Sequence, residues 1–442
     1  MSESTHSRVL RGSFWLYADN FGRLALNVGL SILIARHLGP EEFGVLNYAT
    51  VIVALFLVVG SLGGDELAIV EMVRRPESAA RVLGSILGLR CAASLVAAAA
   101  FAGVVWLVES DAAIARVLMA AGVVILTTAP ACFHLPFQAK LNQRPVAVSR
   151  FGATFGVSLF RAGLLAAGAG TLAFAFSSAL EGFGLSVLLW LFWRSSELRS
   201  DGVQWDAAVA RDLLRRSLPV FLSVAAVVIY MKVNVVVLRH LASTTAAGVF
   251  SVAQKLSEVC YIVPVALAEA AFPVLVKATG SAEAGSRPVQ LFCDAVVFAA
   301  YAVVAGALLL GGPAIRLLFG AAYDSSIGVF ELHVWSSIPI ALQVVRFRYL
   351  VSKGEQWRET PVALIGGALN VAFNLWWIPS YGAAGAAVAT LVSYAFIGYL
   401  SSWLFPALRP IGRIQTRALF PFVRLWRELR ARLRAEPFGG AA

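Results

Sequence analysis

Phe14–Ala35 reads FWLYADNFGRLALNVGLSILIA. The stretch is long enough to cross a bilayer, which takes about 20 predominantly apolar residues as a helix. Yet Asp19, Arg23 and Asn27 stand four residues apart within it, and Ser31 continues the row. That spacing puts all four on one helical face. A helix with a single polar stripe in lipid has to turn the stripe toward protein or a polar cavity. The segment is therefore read as one member of a helical bundle with a polar interior.

The rest of the chain agrees. Of 442 residues, 59% are hydrophobic and 14% charged, and the mean hydropathy is +0.78. A soluble domain carries about 25% charged residues. The length rule for membrane helices predicts an all-α polytopic membrane protein with about twelve spans. They fall near 14–35, 45–63, 85–108, 113–135, 146–168, 171–193, 218–239, 247–272, 291–312, 328–350, 361–378 and 383–405. The first is too long for the core of a cleavable signal and is expected to stay as a transmembrane helix. Cys91, Cys132, Cys260 and Cys293 lie scattered in apolar stretches without CxxC spacing. They are read as small buried hydrophobes. Neither a metal nor a cofactor is expected.

Charge placement orients the chain. The net charge is +11, a value that in a soluble protein would suggest nucleic acid. Here 28 of the 36 Lys and Arg lie in segments on the side of the N-terminus, and the opposite loops hold only Arg36, Arg116, Arg239 and Arg316. By the positive-inside rule both termini are expected in the cytoplasm, as in an inner-membrane protein. No nucleic-acid partner is expected. The remaining four cations, Arg23, Arg161, Lys232 and Lys255, interrupt apolar spans. Each costs about 2.5–3.5 kcal/mol at mid-membrane on insertion scales, so such residues usually face a cavity, a partner or a ligand. Four positive charges point to an anionic ligand.

The chain also repeats itself. Arg36-His37-Leu38 leads into Gly44-Val45, and Arg239-His240-Leu241 leads into Gly248-Val249. Pro145-Val146-Ala147 is echoed by Pro361-Val362-Ala363. These echoes predict two six-helix lobes related by a pseudo-two-fold axis along the membrane normal, with a central site. The predicted organisation is a cytoplasmic N-terminus (1–13), an N-lobe (14–193), a cytoplasmic linker (194–217), a C-lobe (218–405) and a basic tail (406–442). In the tail, Phe422, Val423, Trp426, Leu429 and Leu433 recur at helical spacing, with Arg424, Arg427, Arg430 and Arg434 on the other face. That pattern suits an amphipathic helix on the anionic leaflet; a solvated basic tail is the alternative.

Ala35-Arg36-His37-Leu38-Gly39-Pro40-Glu41-Glu42-Phe43-Gly44 resembles the ARxLGPExFG signature of prokaryotic Wzx-like polysaccharide and O-antigen flippases. These form a branch of the multidrug/oligosaccharidyl-lipid/polysaccharide exporter superfamily. Val249–Pro273, Gly320–Trp335 and Tyr381–Thr390 fit the same pattern. The resemblance implies a MATE-like fold and translocation of undecaprenyl-pyrophosphate-linked oligosaccharide from the inner to the outer leaflet. It further implies membrane lipids as partners, together with a polysaccharide polymerase and a chain-length regulator.

Read residue by residue, the substrate-binding candidates are Arg23, Arg161, Lys232, Lys255, Asn27, Asn234, Asn370 and Asn374. Guanidinium suits bidentate phosphate binding. Arg23 has an alternative as an internal pair with Asp19, Lys255 as a pair with Glu258, and Arg161 as a snorkelling residue. Lys232 has no acidic residue within a turn and is the strongest candidate. Asn370 and Asn374 could bind sugar hydroxyls or hold helices together. Asp19, Glu258 and Glu269 are candidates for ion coupling. Glu269 has no basic residue within a turn, and helix packing is its alternative. His37 and His240 read as structural.

Absence of GxxxxGK[ST] argues against nucleotide hydrolysis by this chain. A multidrug antiporter of the same superfamily would favour an acidic cavity. A membrane polymerase would need a large outside loop, and a lipid II flippase commonly carries two extra helices. These readings rank below a secondary transporter of lipid-linked oligosaccharide.

Overall fold

A computed structural model of the chain describes residues 5–198, 202–280 and 286–422, with Arg424 and Trp426. Every regular element among them is helical. Val423, Arg427, Leu429, Arg430, Leu433 and Arg434 lie outside the described residues. Packing divides the chain into two compact units, Met1–Arg239 and His240–Ala442.

In the first unit, α1 (Thr5–Ser61) is followed by α2 (Asp65–Arg74) and α3 (Ala79–Val108). Next come α4 (Ala112–Gly122) and α5 (Leu135–Ala139), joined through 3-10 turns at Val123–Thr128 and Pro130–His134. Then come α6 (Gln143–Ala166), α7 (Thr171–Ser195) and α8 (Ala207–Leu241). The α4–α5 path bends by 43°, where Pro130 and Pro136 withhold backbone N–H groups. α1 runs through the first two predicted spans and breaks at Gly39, with φ 74° and ψ 174°. Residues with a Cβ avoid that conformation. Pro40 then restarts the helix without wasting a donor, and Glu41 and Glu42 meet the positive end of its dipole. The break is docked on the α6–α7 turn. His37 Nε2 lies 3.0 Å from the Ala169 carbonyl, and the Thr171 hydroxyl donates to Glu42 at 2.7 Å. The signature stretch is thus a built corner.

The predicted linker packs against α3. Gln204 N–H donates to the Ala80 carbonyl at 3.0 Å, and Asp206 caps α8 by accepting from Ala208 N–H at 2.9 Å. The division between units falls after Arg239, at the end of α8. That helix packs with the first six predicted spans: Phe221 backbone lies against Gly63, and Arg216 pairs with Glu71 at 3.3 Å.

The second unit holds α9 (Thr244–Gly280), α10 (Ser286–Phe319), α11 (Ser325–His333) and α12 (Ser337–Ser352). After these come α13 (Glu359–Ala395), α14 (Ser401–Leu404) and α15 (Arg409–Ala418). α13 carries the eleventh and twelfth predicted spans across a break at Gly382, with φ 52° and ψ −130°. α15, in the predicted tail, is seated rather than loose. Ile411, Ile414 and Gln415 are buried, and the Gln415 amide donates to the Leu342 and Gly398 carbonyls at 2.9 Å.

Seven helices among the described residues are long and apolar enough to cross a membrane, or eight if the bent α4–α5 pair counts as one. Sequence predicts twelve spans. Two of the seven, over Asp19–Arg74 and Gln356–Leu404, contain 56 and 49 residues, far beyond the roughly 20 that one crossing needs. α6 carries Arg144, Arg150 and Arg161 and α8 carries Arg211, Arg215, Arg216 and Lys232, and neither is among the seven. Trp106, Leu309 and Leu317 are each more than 75% exposed. Such apolar surface belongs in lipid, and the chain is a multi-span membrane protein.

Candidate functional site

The polar stripe of α1 forms as spaced. Arg23 Nε donates to Asp19 Oδ1 at 2.8 Å, and Arg23 Nη2 donates to Asn20 at 3.3 Å. Asp19 is almost wholly buried, and Arg23 keeps about a third of its side chain exposed. Asn27 is exposed. One helix away, Gly22 lets α6 approach so closely that a Cβ there would sit 2.8 Å from the Phe151 ring. This seam brings Arg150, the neighbour of Phe151, within electrostatic reach of Arg23, Asp19 and Asp65.

Asp65, at the start of α2, opens a second group. Buried Arg90 of α3 donates to Asp65 and, at 3.2 Å, to the Ser61 carbonyl. His134 donates from Nδ1 to the Ala131 carbonyl at 2.7 Å, and its Nε2 lies 3.6 Å from Asp65. One charged cluster therefore gathers Asp19, Arg23, Asp65, Arg90, His134 and Arg150. Two carboxylates face three guanidinium groups. Sequence reasoning found only Asp19 and Arg23. Asp65 falls in a predicted inside loop, Arg90 and Arg150 sit at the inside ends of the third and fifth predicted spans and count there with the loop cations, and His134 closes a span as an ordinary polar residue. The usable signal was Arg90 within the apolar run ILGLRCAASL.

Further along α6, Arg161 is held by residues of α7. Its Nε donates to Ser177 at 2.8 Å, and its Nη2 lies 3.4 Å from Glu181 of α7. Glu181 also accepts from the Thr154 hydroxyl at 2.9 Å. Arg161 is thus balanced by an acid on the next helix that local spacing did not reveal. Lys232 of α8 is half-buried and makes no hydrogen bond or ion pair among the described residues. Asn234 beside it is buried; the side chain of Tyr230 lies outside the described residues. At the far end of α8, Arg239 pairs with buried Glu109 at 3.3 Å and lies 5.9 Å over the Tyr48 ring.

In the second unit, Lys255 is half-buried and Glu258 exposed; the Gln254 amide donates to Glu258 at 2.9 Å. Glu269, with no basic residue within a turn, finds one on another helix. Arg348 of α12 reaches it at 2.8 Å and also lies over the Phe272 ring. A partner across helices is invisible to a search within one turn. Asn370 and Asn374 are buried and bonded along α13, the Asn374 amide donating to Asn370 Oδ1 at 3.0 Å. This bond lies within one helix and joins no two helices.

Two further acids were missed. Arg346, counted as a loop cation, is fully buried and binds both oxygens of Glu359 at 2.7 and 2.9 Å. Asp294 of α10 is fully buried and receives Arg424 of the tail at 2.8 and 2.9 Å. That pairing turns Arg424 toward α10, whereas the sequence pattern puts it on the polar face of a surface helix. Among the described residues, no three His, Cys, Asp or Glu side chains converge to hold a metal ion.

A sequence profile described as polysaccharide biosynthesis protein matches residues 9–279. The chain belongs to the polysaccharide biosynthesis protein family. The matched stretch contains the α1 corner, the charged cluster and Arg161, Lys232 and Lys255 of this family member. The chain is 26% identical over 200 residues to the probable flippase AglR of Haloferax volcanii, an alignment that covers 42% of this chain and 40% of AglR. Two solved structures share the fold. The lipid II flippase MurJ in an inward closed conformation superposes with a TM-score of 0.72 at 14% identity, over 94% of this chain and 92% of MurJ. An inward-facing multidrug-resistance MATE transporter of the MOP superfamily gives 0.69 at 16% identity, over 89% and 96%. The family member is therefore an all-α membrane protein of MATE-like fold.

Proposed function

We propose that this protein is a flippase, a transporter and not an enzyme. It carries undecaprenyl-pyrophosphate-linked oligosaccharide from the cytoplasmic to the outer leaflet of a bacterial inner membrane by alternating access. The observation that carries the reading is the charged cluster of the first unit, where three guanidinium groups face two carboxylates inside a membrane protein. Fixed cations in a water-poor site attract a pyrophosphate far more strongly than they would in bulk water. Family membership and the likeness to AglR and MurJ support the same cargo class. Both termini lie in the cytoplasm by the positive-inside bias, and a polymerase and a chain-length regulator act on the exported units.

Among the proposed ligands, Arg23 and Lys232 contact the anion. Arg161, Lys255, Asn27, Asn234, Asn370 and Asn374 complete the substrate path. Asp19, Glu258 and Glu269 are the carboxylates through which an ion gradient would couple. An organic-cation antiporter is disfavoured by the same surplus of positive charge. The test uses proteoliposomes loaded with a fluorescent lipid-linked oligosaccharide, and an impermeant quencher reports the fraction in each leaflet. Wild-type protein should equilibrate the leaflets, whereas Lys232→Ala and Arg23→Ala should not. Equilibration by both variants at the wild-type rate sinks the cationic-site reading.

A further inference from the structure

We propose that Arg150 is a direct ligand of the cargo's pyrophosphate, acting with Arg23 while Asp19 holds Arg23 in place until the anion arrives. The proposal rests on the flippase reading and gives that site a residue the sequence did not offer.

Three observations meet at the α1–α6 seam. First, Arg150 is half-buried, yet it makes no hydrogen bond or ion pair among the described residues. A guanidinium has five N–H donors and no way to become neutral, so such a group in a membrane protein calls for a counter-ion. Second, the acids in reach are already engaged: Asp19 holds Arg23 at 2.8 Å, and Asp65 holds Arg90 and faces His134. Third, Arg150 shares the α1–α6 seam with a second guanidinium, Arg23, which lies within electrostatic reach. The glycine at position 22 produces this like-charge approach by letting Phe151 sit against the α1 backbone. Two guanidinium groups at one seam of a water-poor place repel each other, and a doubly charged phosphoanhydride relieves both. Each planar fork can take two phosphoryl oxygens. Arg23 spends only Nε and one Nη on Asp19 and Asn20, so it keeps donors for the ligand. Asp19 has one buried oxygen without a hydrogen-bond partner, a poor resting arrangement for a carboxylate whose task is only to fix a helix.

The shared chemistry is a phosphoryl anion, which could come from the cargo or from an anionic phospholipid. The test titrates inorganic pyrophosphate into the full-length protein in nanodiscs, read by calorimetry, in zwitterionic lipid and again with anionic lipid added. Wild type should bind in both lipids. Arg150→Gln should weaken binding by about ten- to a hundredfold, the range for losing hydrogen bonds to a charged group. Arg150→Lys should fall between, because an ammonium cannot form the two-pronged contact. Asp19→Asn should tighten binding several-fold by freeing Arg23, a gain that a merely structural cluster would not give. Wild-type affinity in Arg150→Gln, or an Asp19→Asn variant that binds no tighter, overturns the proposal. Loss of binding on adding anionic lipid overturns the cargo assignment, because the headgroup then fills the site. Failure of the flippase reading looks different: pyrophosphate binding through Arg150 persists while lipid-linked oligosaccharide stays in its leaflet.

Discussion

Breaking the Arg346–Glu359 pair tests how the second unit is held together. Arg346 is fully buried. Its guanidinium donates to both Glu359 oxygens, to the Ser401 and Ser402 hydroxyls at 2.8 Å, and to the Ile397 carbonyl at 2.7 Å. These contacts tie α12, the start of α13 and the end of the twelfth predicted span into one knot. Glu359→Leu removes the only charge opposite Arg346 there and leaves three neutral acceptors. Removing one partner of a buried pair costs about 3–5 kcal/mol, whereas replacing both by apolar residues of similar size is often neutral. The double variant Arg346→Met/Glu359→Leu should therefore be more stable than Glu359→Leu alone, although it carries more changes. Arg346→Lys should not rescue, since a point charge cannot reach both carboxylate oxygens and two hydroxyls together. Denaturant unfolding of the purified protein in one detergent, followed by tryptophan fluorescence, measures the three variants beside the wild type. The reasoning fails if Glu359→Leu loses less than about 1 kcal/mol, the scale of an exposed pair, or if the double variant is the least stable.

Three other outcomes follow from the same geometry. Gly39→Ala should lower stability by about 1–2 kcal/mol, the cost of forcing a Cβ into a left-handed conformation, and should reduce surface polysaccharide at equal protein level. Arg424→Ala should lower the melting temperature by leaving Asp294 charged and buried with only the Gln290 amide, 2.8 Å away. Asp294→Asn in that background should restore most of the loss; no recovery would mean the tail is held by other contacts. Lys232→Ala should stop export without changing the melting temperature, because no described residue depends on it. Arg161→Ala should lower the melting temperature, because it strips the charge partner from Glu181.

The helical class, the polar stripe of α1 and the corner at Gly39-Pro40 were legible because each is written in neighbouring residues. Period, length and turn chemistry are local, and the i,i+4 pair Asp19–Arg23 formed at the spacing the sequence shows. The expected twelve spans do not appear as twelve separate helices, since α1 and α13 each run through a glycine break and α6 and α8 are not among the seven long apolar helices. The missed partners have a single physical cause. Glu181 lies 20 residues from Arg161, Asp65 lies 25 from Arg90, and Arg348 lies 79 from Glu269. Helix packing makes these pairs, and a reading confined to one turn has no access to it. For the same reason Arg346 passed for a loop cation. It sits near the end of its span, and only the fold shows Glu359 and the twelfth predicted span closing over it.

Pairing each cation with its acid turns the original observation into a narrower one. In the second unit Arg346, Arg348 and Arg424 are matched by Glu359, Glu269 and Asp294. In the first unit Arg23, Arg90, Arg161 and Arg239 are matched by Asp19, Asp65, Glu181 and Glu109. A paired cation can serve structure alone, so burial in a membrane does not by itself mark a ligand-binding residue. Within the predicted spans of the first unit, Arg150 and Lys232 are the basic residues left without a bonded partner among the described residues. Keeping them costs stability whenever no anion is present, and a cost borne in the empty state is recovered only in the loaded one. On the proposed reading, the positive charge that matters for transport is this unmatched remainder and the Arg23 that Asp19 can release. The sum of basic residues in the membrane does not measure it.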